Sequence, residues 1–250
     1  MAENNIIQTM NYFGKFDINF LTSKSATVEF VDGTLYPSMT IAKIARGYKG
    51  IYSNEIPENP QELLDDVKST KLQTPMEMIT FVFLLKRVSR AFTHQLVRTR
   101  HASYVQESMR FLGHKNTYEV LVTNKVKNNP EAFRAYMETC GTAIYEYEHL
   151  LDSGMPSEDA RGVLPTNIMT SIFVHLPLSS LQRIYTQRLC CQAQEEWYHV
   201  VKQFKVSLRA EYGDDVDEWL SAPVERGEPC GYNASFDRPC VWKNGKEEES

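Results

Sequence analysis

Gln95-Leu96-Val97-Arg98-Thr99-Arg100, followed by Ser103 and then Ser108-Met109-Arg110-Phe111, is the densest polar signal in this sequence. Gln95 and Arg98 lie three residues apart, so both would sit on one face at the end of a helix. Ser108 and Arg110 are two apart, and an extended segment would point both the same way. A helix end and an extended return, each offering arginines, make a two-sided anion clamp. Guanidinium groups grip phosphate oxygens in a bidentate fork, and a serine hydroxyl adds a donor. Spacing alone leaves a second reading open, a solvated basic helix end, and does not say which phosphate would be held.

The composition around this stretch narrows the classes. With 250 residues, 42% hydrophobic and 11% aromatic, the chain can build a core without disulfides or metals. The net charge of −5 weighs against broad nucleic-acid binding, yet Arg87, Arg90, Arg98, Arg100 and Arg110 bunch together. An acidic chain with one arginine cluster suits a small anion better than a polymer. A single-stranded nucleic-acid binder using Lys86, Arg87, Arg90, Arg98 and Arg100 with Phe92 and Tyr104 is the contrasting class. It is disfavoured because most of those cations fall within an apolar helical pattern. The cysteines are Cys140, Cys190, Cys191, Cys230 and Cys240, an odd set without a Cys-x-x-Cys, and read as reduced thiols. His94 and His101 lack a helical ligand spacing, so no metal is expected. No apolar run is long enough to span a membrane and no signal peptide opens the chain, so the expected location is cytoplasmic.

Along the chain, residues 17–31 read as strands with Asp32-Gly33 as a turn after them. Asn59-Pro60-Gln61-Glu62 reads as a helix start, and Thr74-Pro75-Met76-Glu77 repeats that grammar to open a long apolar helix through about Val97. Asn129-Pro130 opens another helix whose apolar stripe runs Phe133, Tyr136, Met137, Cys140, Ile144, Tyr147, Leu150 and Leu151, with Ser153-Gly154 closing it. Ser157 starts a short helix carrying Arg161, and residues 168–174 read as a strand. Ser179-Ser180-Leu181-Gln182 begins a final long helix with Arg188, Gln192 and Trp197. Helices dominate, with a few strands near the start, so the expected class is mixed α and β (α+β). One domain over residues 1–205 is expected, with residues 206–250 as a partly flexible C-terminal extension.

Arg98-Thr99-Arg100, seven residues and Ser108 resemble the Arg-His-Arg-(seven)-Ser signature of the flavin-dependent thymidylate synthases. Thr74-Pro75-Met76-Glu77 with Ser89-Arg90-Ala91 and Gln95, then Ala160 to Asn167, then Leu181 to Arg188 with Gln192-Ala193-Gln194, are similar to that family in the same order. The resemblance spans roughly residues 26–200. It implies an α/β subunit with a central, mostly antiparallel sheet flanked by long helices, assembled as a homotetramer with active sites between subunits. Such an enzyme methylates dUMP to dTMP with methylenetetrahydrofolate, FAD and NADPH, the reduced flavin supplying hydride. Because the cofactor carries the hard chemistry, the protein positions groups and stabilises charge. Carried over, Gln95, Arg98, Ser108, Arg110, Arg161 and Arg188 would bind dUMP, with Arg188 at the uracil edge favouring ionised N3. Thr74, Glu77, Arg98, Thr99, Arg100, Gln106, Arg183 and Gln192 would line the flavin site.

The departures concentrate on the flavin side. Thr99 stands for the motif histidine, Val105 and Gln106 for a polar residue and a glutamate, and Phe111 for a tyrosine. Pro177, Ser179 and Arg183 stand where Asn, Arg and Asn are frequent, and Gln192 where a histidine is. His101, two positions on from Thr99, and Glu107, one on from Gln106, supply the lost chemical types nearby. Two alternatives therefore stay open: a dUMP or dCMP hydroxymethylase of the same family, and a nucleotide-binding paralogue with little catalysis. Pro229-Cys230 and Pro239-Cys240 resemble the proline-cysteine pair of the cysteine-dependent thymidylate synthases, but no other motif of that family accompanies them.

Overall fold

The computed structural model of the chain describes residues 5–70, 74–190, 193–228, 242–243 and 246–247. In chain order the first elements are β1 (Ile6–Tyr12), β2 (Phe16–Leu21), β3 (Thr27–Gly33), α1 (Pro37–Ala45), α2 (Pro60–Ser69), the single turn α3 (Thr74–Glu77), β4 (Thr80–Ser89), α4 (Arg90–Leu96) and β5 (Ser103–Gln106). There follow β6 (Thr117–Leu121), α5 (Asn124–Lys127), α6 (Pro130–Asp152), α7 (Ser157–Ala160), β7 (Met169–Pro177), α8 (Leu178–Arg188), α9 (Glu195–Tyr212), α10 (Val216–Trp219), β8 (Trp242–Lys243) and β9 (Lys246–Glu247). The class is the mixed α and β one expected. Strands β1-β2-β6 form one sheet, β3-β4-β7-β5 a second, and β8-β9 a small pair. Strand β1 pairs antiparallel to β2, and β2 pairs parallel to β6 with Ile18 opposite Tyr118 and Phe20 opposite Val120.

The chain divides into two units, residues 1–27, 85–98 and 105–173 in the first, and residues 28–84, 99–104 and 174–250 in the second. In the first, β2 alternates so that Phe16, Ile18 and Phe20 are buried, and α6 covers them with Met137, Cys140, Ile144 and Tyr147. Each large side chain buried this way contributes about 1.5–3 kcal/mol. Helix α6 begins as its sequence dictates: the Asn129 side chain accepts from the Ala132 amide at 3.1 Å and Pro130 occupies the first turn. It ends at Gly154, whose φ of +87° is the left-handed conformation a helix stop needs. In the second unit the core is aromatic. Phe81 stacks on Trp219 at 5.6 Å, Phe83 meets Phe204 edge-on at 4.9 Å, and Phe30 meets Tyr212 at 5.5 Å.

Several expectations are corrected. The long helix from Thr74 through Val97 is a single turn, a strand and a two-turn helix. Phe81, Phe83 and Leu85 are buried at alternate positions of β4, a period of two that burial in a sheet rewards over the local helix start. The true cap of α4 is Ser89, whose hydroxyl accepts from the Phe92 amide at 3.0 Å. Asn59 precedes α2 without making the side-chain cap bond expected of it. The final long helix is two. At about 100° per residue, a continuous helix would place Leu181, Ile184 and Tyr185 on roughly the opposite side from Trp197, Val200, Val201 and Phe204. All seven are buried, so the chain breaks after α8 and turns before α9.

Position 205, where the extension was expected to start, lies inside α9. Residues 206–228 continue that helix and then pack against it. Lys205, with a side chain 11% exposed, bridges Asp217 at 2.7 Å and Glu225 at 3.1 Å, and Tyr185 donates to Glu225 at 2.9 Å.

Asp32-Gly33 ends β3 and is no turn. A Cβ at Gly33 would lie 2.8 Å from a Phe81 ring carbon and 3.0 Å from the Thr80 carbonyl, so close strand approach demands the glycine. Gly33→Ala is expected to destabilise the protein by about 1–3 kcal/mol through that clash, read as a lowered midpoint in thermal or denaturant unfolding.

Candidate functional site

The loop after β5 carries Ser108 and Arg110, two of the residues expected to bind the nucleotide. Its entry is fixed by backbone bonds: the Glu107 amide donates to the Ser171 carbonyl at 3.0 Å, and the Glu107 carbonyl accepts from the Arg90 guanidinium. Ser108 and Arg110 were expected on an extended segment. Instead Ser108 caps a 3-10 turn, residues Met109–Phe111, its hydroxyl accepting from the Arg110 amide at 3.3 Å. A turn, not a strand, therefore aims both side chains.

Arg110 reaches Glu158 of α7 at 2.6 Å, and Arg161, which follows that helix, donates from Nε to the Glu158 carbonyl at 3.1 Å. The fold thus brings Arg110 and Arg161 to one residue from segments fifty positions apart. Arg90 completes the group. Its burial lowers the guanidinium pKa, an effect that Glu107 opposes and nearby Arg161 strengthens. The buried Nε of Arg90 has no hydrogen-bond partner among the described residues. A buried donor without a partner beside a second guanidinium is a cationic site that an anion would relieve. In the sequence Arg90 stands out only as one of the clustered arginines and as part of the Ser89-Arg90-Ala91 match; its place in the first turn after a serine cap was the further signal.

Gln95 lies in α4 and is half-buried, while Arg98 follows the helix as an exposed residue. Helix α4 ends at Leu96, so Arg98 stands in the turn beyond it, its amide bonded to the Gln95 carbonyl at 3.2 Å. The Gln106 amide donates to the Thr93 hydroxyl of α4 at 2.8 Å. The Glu107 side chain lines a cavity of about 320 Å³ with Arg87, Lys115, Glu119 and Ser171. Its cations are already neutralised, Arg87 by Glu119 at 3.3 Å and Lys115 by Glu107 at 3.1 Å, so it carries no net pull on a phosphate.

The second unit holds Thr74, Glu77, Thr99, Arg100, Arg183 and Arg188. Here Glu77 of α3 and Arg183 of α8 line one cavity of about 550 Å³ with His101, Ser179, Ser180, Gln182, Thr186 and Gln187. Thr74 is exposed at the start of α3. The segment 99–104 is tied down by its carbonyls: Thr99 accepts from the Tyr104 hydroxyl at 3.3 Å, and Arg100 from the Ser180 hydroxyl at 3.2 Å. His101 adopts a left-handed φ of +59° and lines the same cavity. Its register alone gave no such sign. Arg188 ends α8 with its guanidinium 4.7 Å from the centre of the Trp197 ring, a cation–π contact that orients the charge. Gln192, Cys191, Cys230 and Cys240 lie outside the described residues. Cys140 is buried in the first core with its thiol pushed up to about 11 by that burial, so it is no thiolate at neutral pH.

Comparison with known proteins gives this arrangement a family. The sequence profile described as "Thymidylate synthase complementing protein" (Thy1) matches residues 19–212. The flavin-dependent thymidylate synthase of Pyrococcus furiosus is 34% identical over 178 residues, covering 68% of this chain and 73% of that one. The flavin-dependent thymidylate synthase of Geobacter sulfurreducens is 36% identical over 137 residues, covering 53% of this chain and 58% of that one. Among solved structures, the UMP/dUMP methylase PolB of Streptomyces cacaoi bound with 5-Br dUMP superposes with a TM-score of 0.65 at 19% identity, covering 77% of this chain and 94% of that one. Thymidylate synthase X of Helicobacter pylori with FAD and dUMP gives a TM-score of 0.58 at 17% identity, covering 78% and 99%. The chain belongs to the thymidylate synthase complementing protein family.

Glu158 holds Arg110 in an exposed pair, an internal competitor for any anion. Glu158→Ala is expected to tighten orthophosphate binding about two- to fivefold, the scale of a surface ion pair, measured by calorimetry at low salt.

Proposed function

We propose that this chain is an FAD-dependent thymidylate synthase that converts dUMP to dTMP. The observation that carries the reading is the meeting of Arg110 and Arg161 at Glu158, with Ser108 capping the same turn, in a chain of this family. Those three residues, joined by Arg90, hold the 5′-phosphate, where bidentate guanidinium bonds are strongest. Gln95 and Arg98 lie along the nucleotide. Arg188, steadied by Trp197, faces the uracil edge and stabilises negative charge developing on N3 and O4.

The cavity with Glu77, Arg183 and His101 fits one part of a flavin dinucleotide, offering a guanidinium for its phosphates and hydroxyl and amide groups for its ring edge. Thr74, Thr99 and Arg100 of the same unit would join them in holding the cofactor, while Arg98 and Gln106 of the first unit and Gln192, which lies outside the described residues, are given a flavin role by the family resemblance alone. When bound, FAD supplies the hydride that reduces the one-carbon unit to a methyl group. Methylenetetrahydrofolate is the carbon donor and NADPH the reductant. Thr99 has no ring to set against the flavin, and His101 takes that role from its left-handed position. The enzyme works as a cytoplasmic homotetramer, and residues beyond α9 stabilise the second unit.

Arg110→Ala and Arg161→Ala should each weaken dUMP binding by about 1.5–3 kcal/mol, the scale of a hydrogen bond to a charged group, read by titration calorimetry. Arg188→Ala should abolish turnover while the circular dichroism spectrum and melting midpoint stay near those of the unaltered protein. An absorbance spectrum of the purified protein, with FAD titrated in the presence and absence of dUMP, tests the whole reading. A flavin spectrum perturbed by dUMP supports it, and tight dUMP binding without flavin overturns it.

A further inference from the structure

The loop that carries Ser108 and Arg110 is anchored a second time, at its far end, by a buried carboxylate that takes no direct part in the site. Glu148 lies on α6, 6% exposed, within the first core. It accepts from the His114 backbone amide at 2.9 Å, and the His114 ring nitrogen Nδ1 lies 3.2 Å from its other oxygen. The Tyr118 hydroxyl stands between the Glu148 carboxylate and the Leu112 carbonyl, 3.0 Å from the latter. Burial and the neighbouring carboxylate push the Tyr118 pKa up, so its hydroxyl stays a donor.

The backbone is shaped to meet this group. His114 takes a left-handed φ of +57°, and a Cβ on Gly113 would lie 2.5 Å from a Leu151 methyl group of α6. Leu112, next after the turn that holds Arg110, is 3% exposed. A left-handed non-glycine residue, a glycine demanded by close approach to α6 and a buried carboxyl group are features that a plain loop would not carry. They become intelligible as the means by which a 3-10 turn, with few hydrogen bonds of its own, keeps one orientation between Glu107 and Leu112.

We infer that Glu148 is a positioning residue for phosphate recognition: through the His114 amide and the Tyr118 hydroxyl it fixes the end of the Ser108–Arg110 turn, and so the direction of the Arg110 guanidinium. This rests on the proposed binding of the dUMP phosphate by Arg110.

The test is a double-mutant cycle on the full chain, with Glu148→Gln and Arg110→Ala alone and together, reading dUMP affinity and steady-state kinetics. Glu148→Gln is expected to weaken dUMP binding about tenfold, as loss of a charge-assisted anchor would, and to raise KM for dUMP with kcat changed less than about twofold. In the Arg110→Ala background it should add nothing. Losses that add fully, or an unchanged KM in a folded Glu148→Gln protein, overturn the inference. Should Glu148→Gln fail to fold, Tyr118→Phe carries the same cycle with the same expected direction, and additivity there also overturns it. If Arg110→Ala itself leaves dUMP affinity untouched, the phosphate reading fails, which is distinct from failure of the Glu148 role.

Discussion

The Glu107 backbone is the fixed point on which the first unit's site depends. Its amide is bonded to β7 through Ser171 and its carbonyl to the Arg90 guanidinium at the start of α4. Neither bond uses the Glu107 side chain, which turns to Lys115 and Thr170. An arginine committed to a carbonyl is held in place without being neutralised. Arg90 therefore keeps its charge, loses solvent, and faces the field of Arg161. Burying a charge under those terms is costly unless something negative completes it. The same contact that locates the loop leaves the site short of an anion.

From that fixed point the chain has only a short path to Leu112, which is buried in the core cluster to which α6 contributes. The intervening 3-10 turn places Ser108 and Arg110, and Glu158 holds Arg110. A helical turn of this kind has poor internal hydrogen bonding, so its orientation is borrowed from its ends. Sheet pairing supplies one end and the α6 core the other. The core cluster of β2, β6 and α6 is thus connected to the site through the geometry of a loop rather than through any side chain that reaches it.

The second unit uses a different device. Its helices α3 and α8 line a cavity, and the short segment 99–104 is tied by its carbonyls to Tyr104 and Ser180. With its carbonyls bonded, the segment is free to present side chains. His101, in a left-handed conformation, is the residue of this segment that lines the cavity. The aromatic packing of Phe30, Phe81, Phe83, Phe204, Tyr212 and Trp219 underlies that unit, so Tyr212 and Trp219, both after position 205, belong to its core.

The mixed class, helix α6 with its Asn129 cap and glycine stop, and the arginine and serine residue types of the cationic cluster were legible in the sequence, because capping, turn and charge chemistry are local. The alternation of Phe81, Phe83 and Leu85 and the opposed stripes of Tyr185 and Trp197 were also written there, yet a strong helix start at Thr74 and a continuous apolar run masked them. Period and propensity compete over a window, and only burial in a sheet or against a second helix decides between them. The turn at Ser108, the left-handed His101 and His114, the close approach at Gly33 and the meeting of Arg110 with Arg161 depend on partners far away in the chain. Such contacts carry no local signature, so the tertiary structure alone decided them.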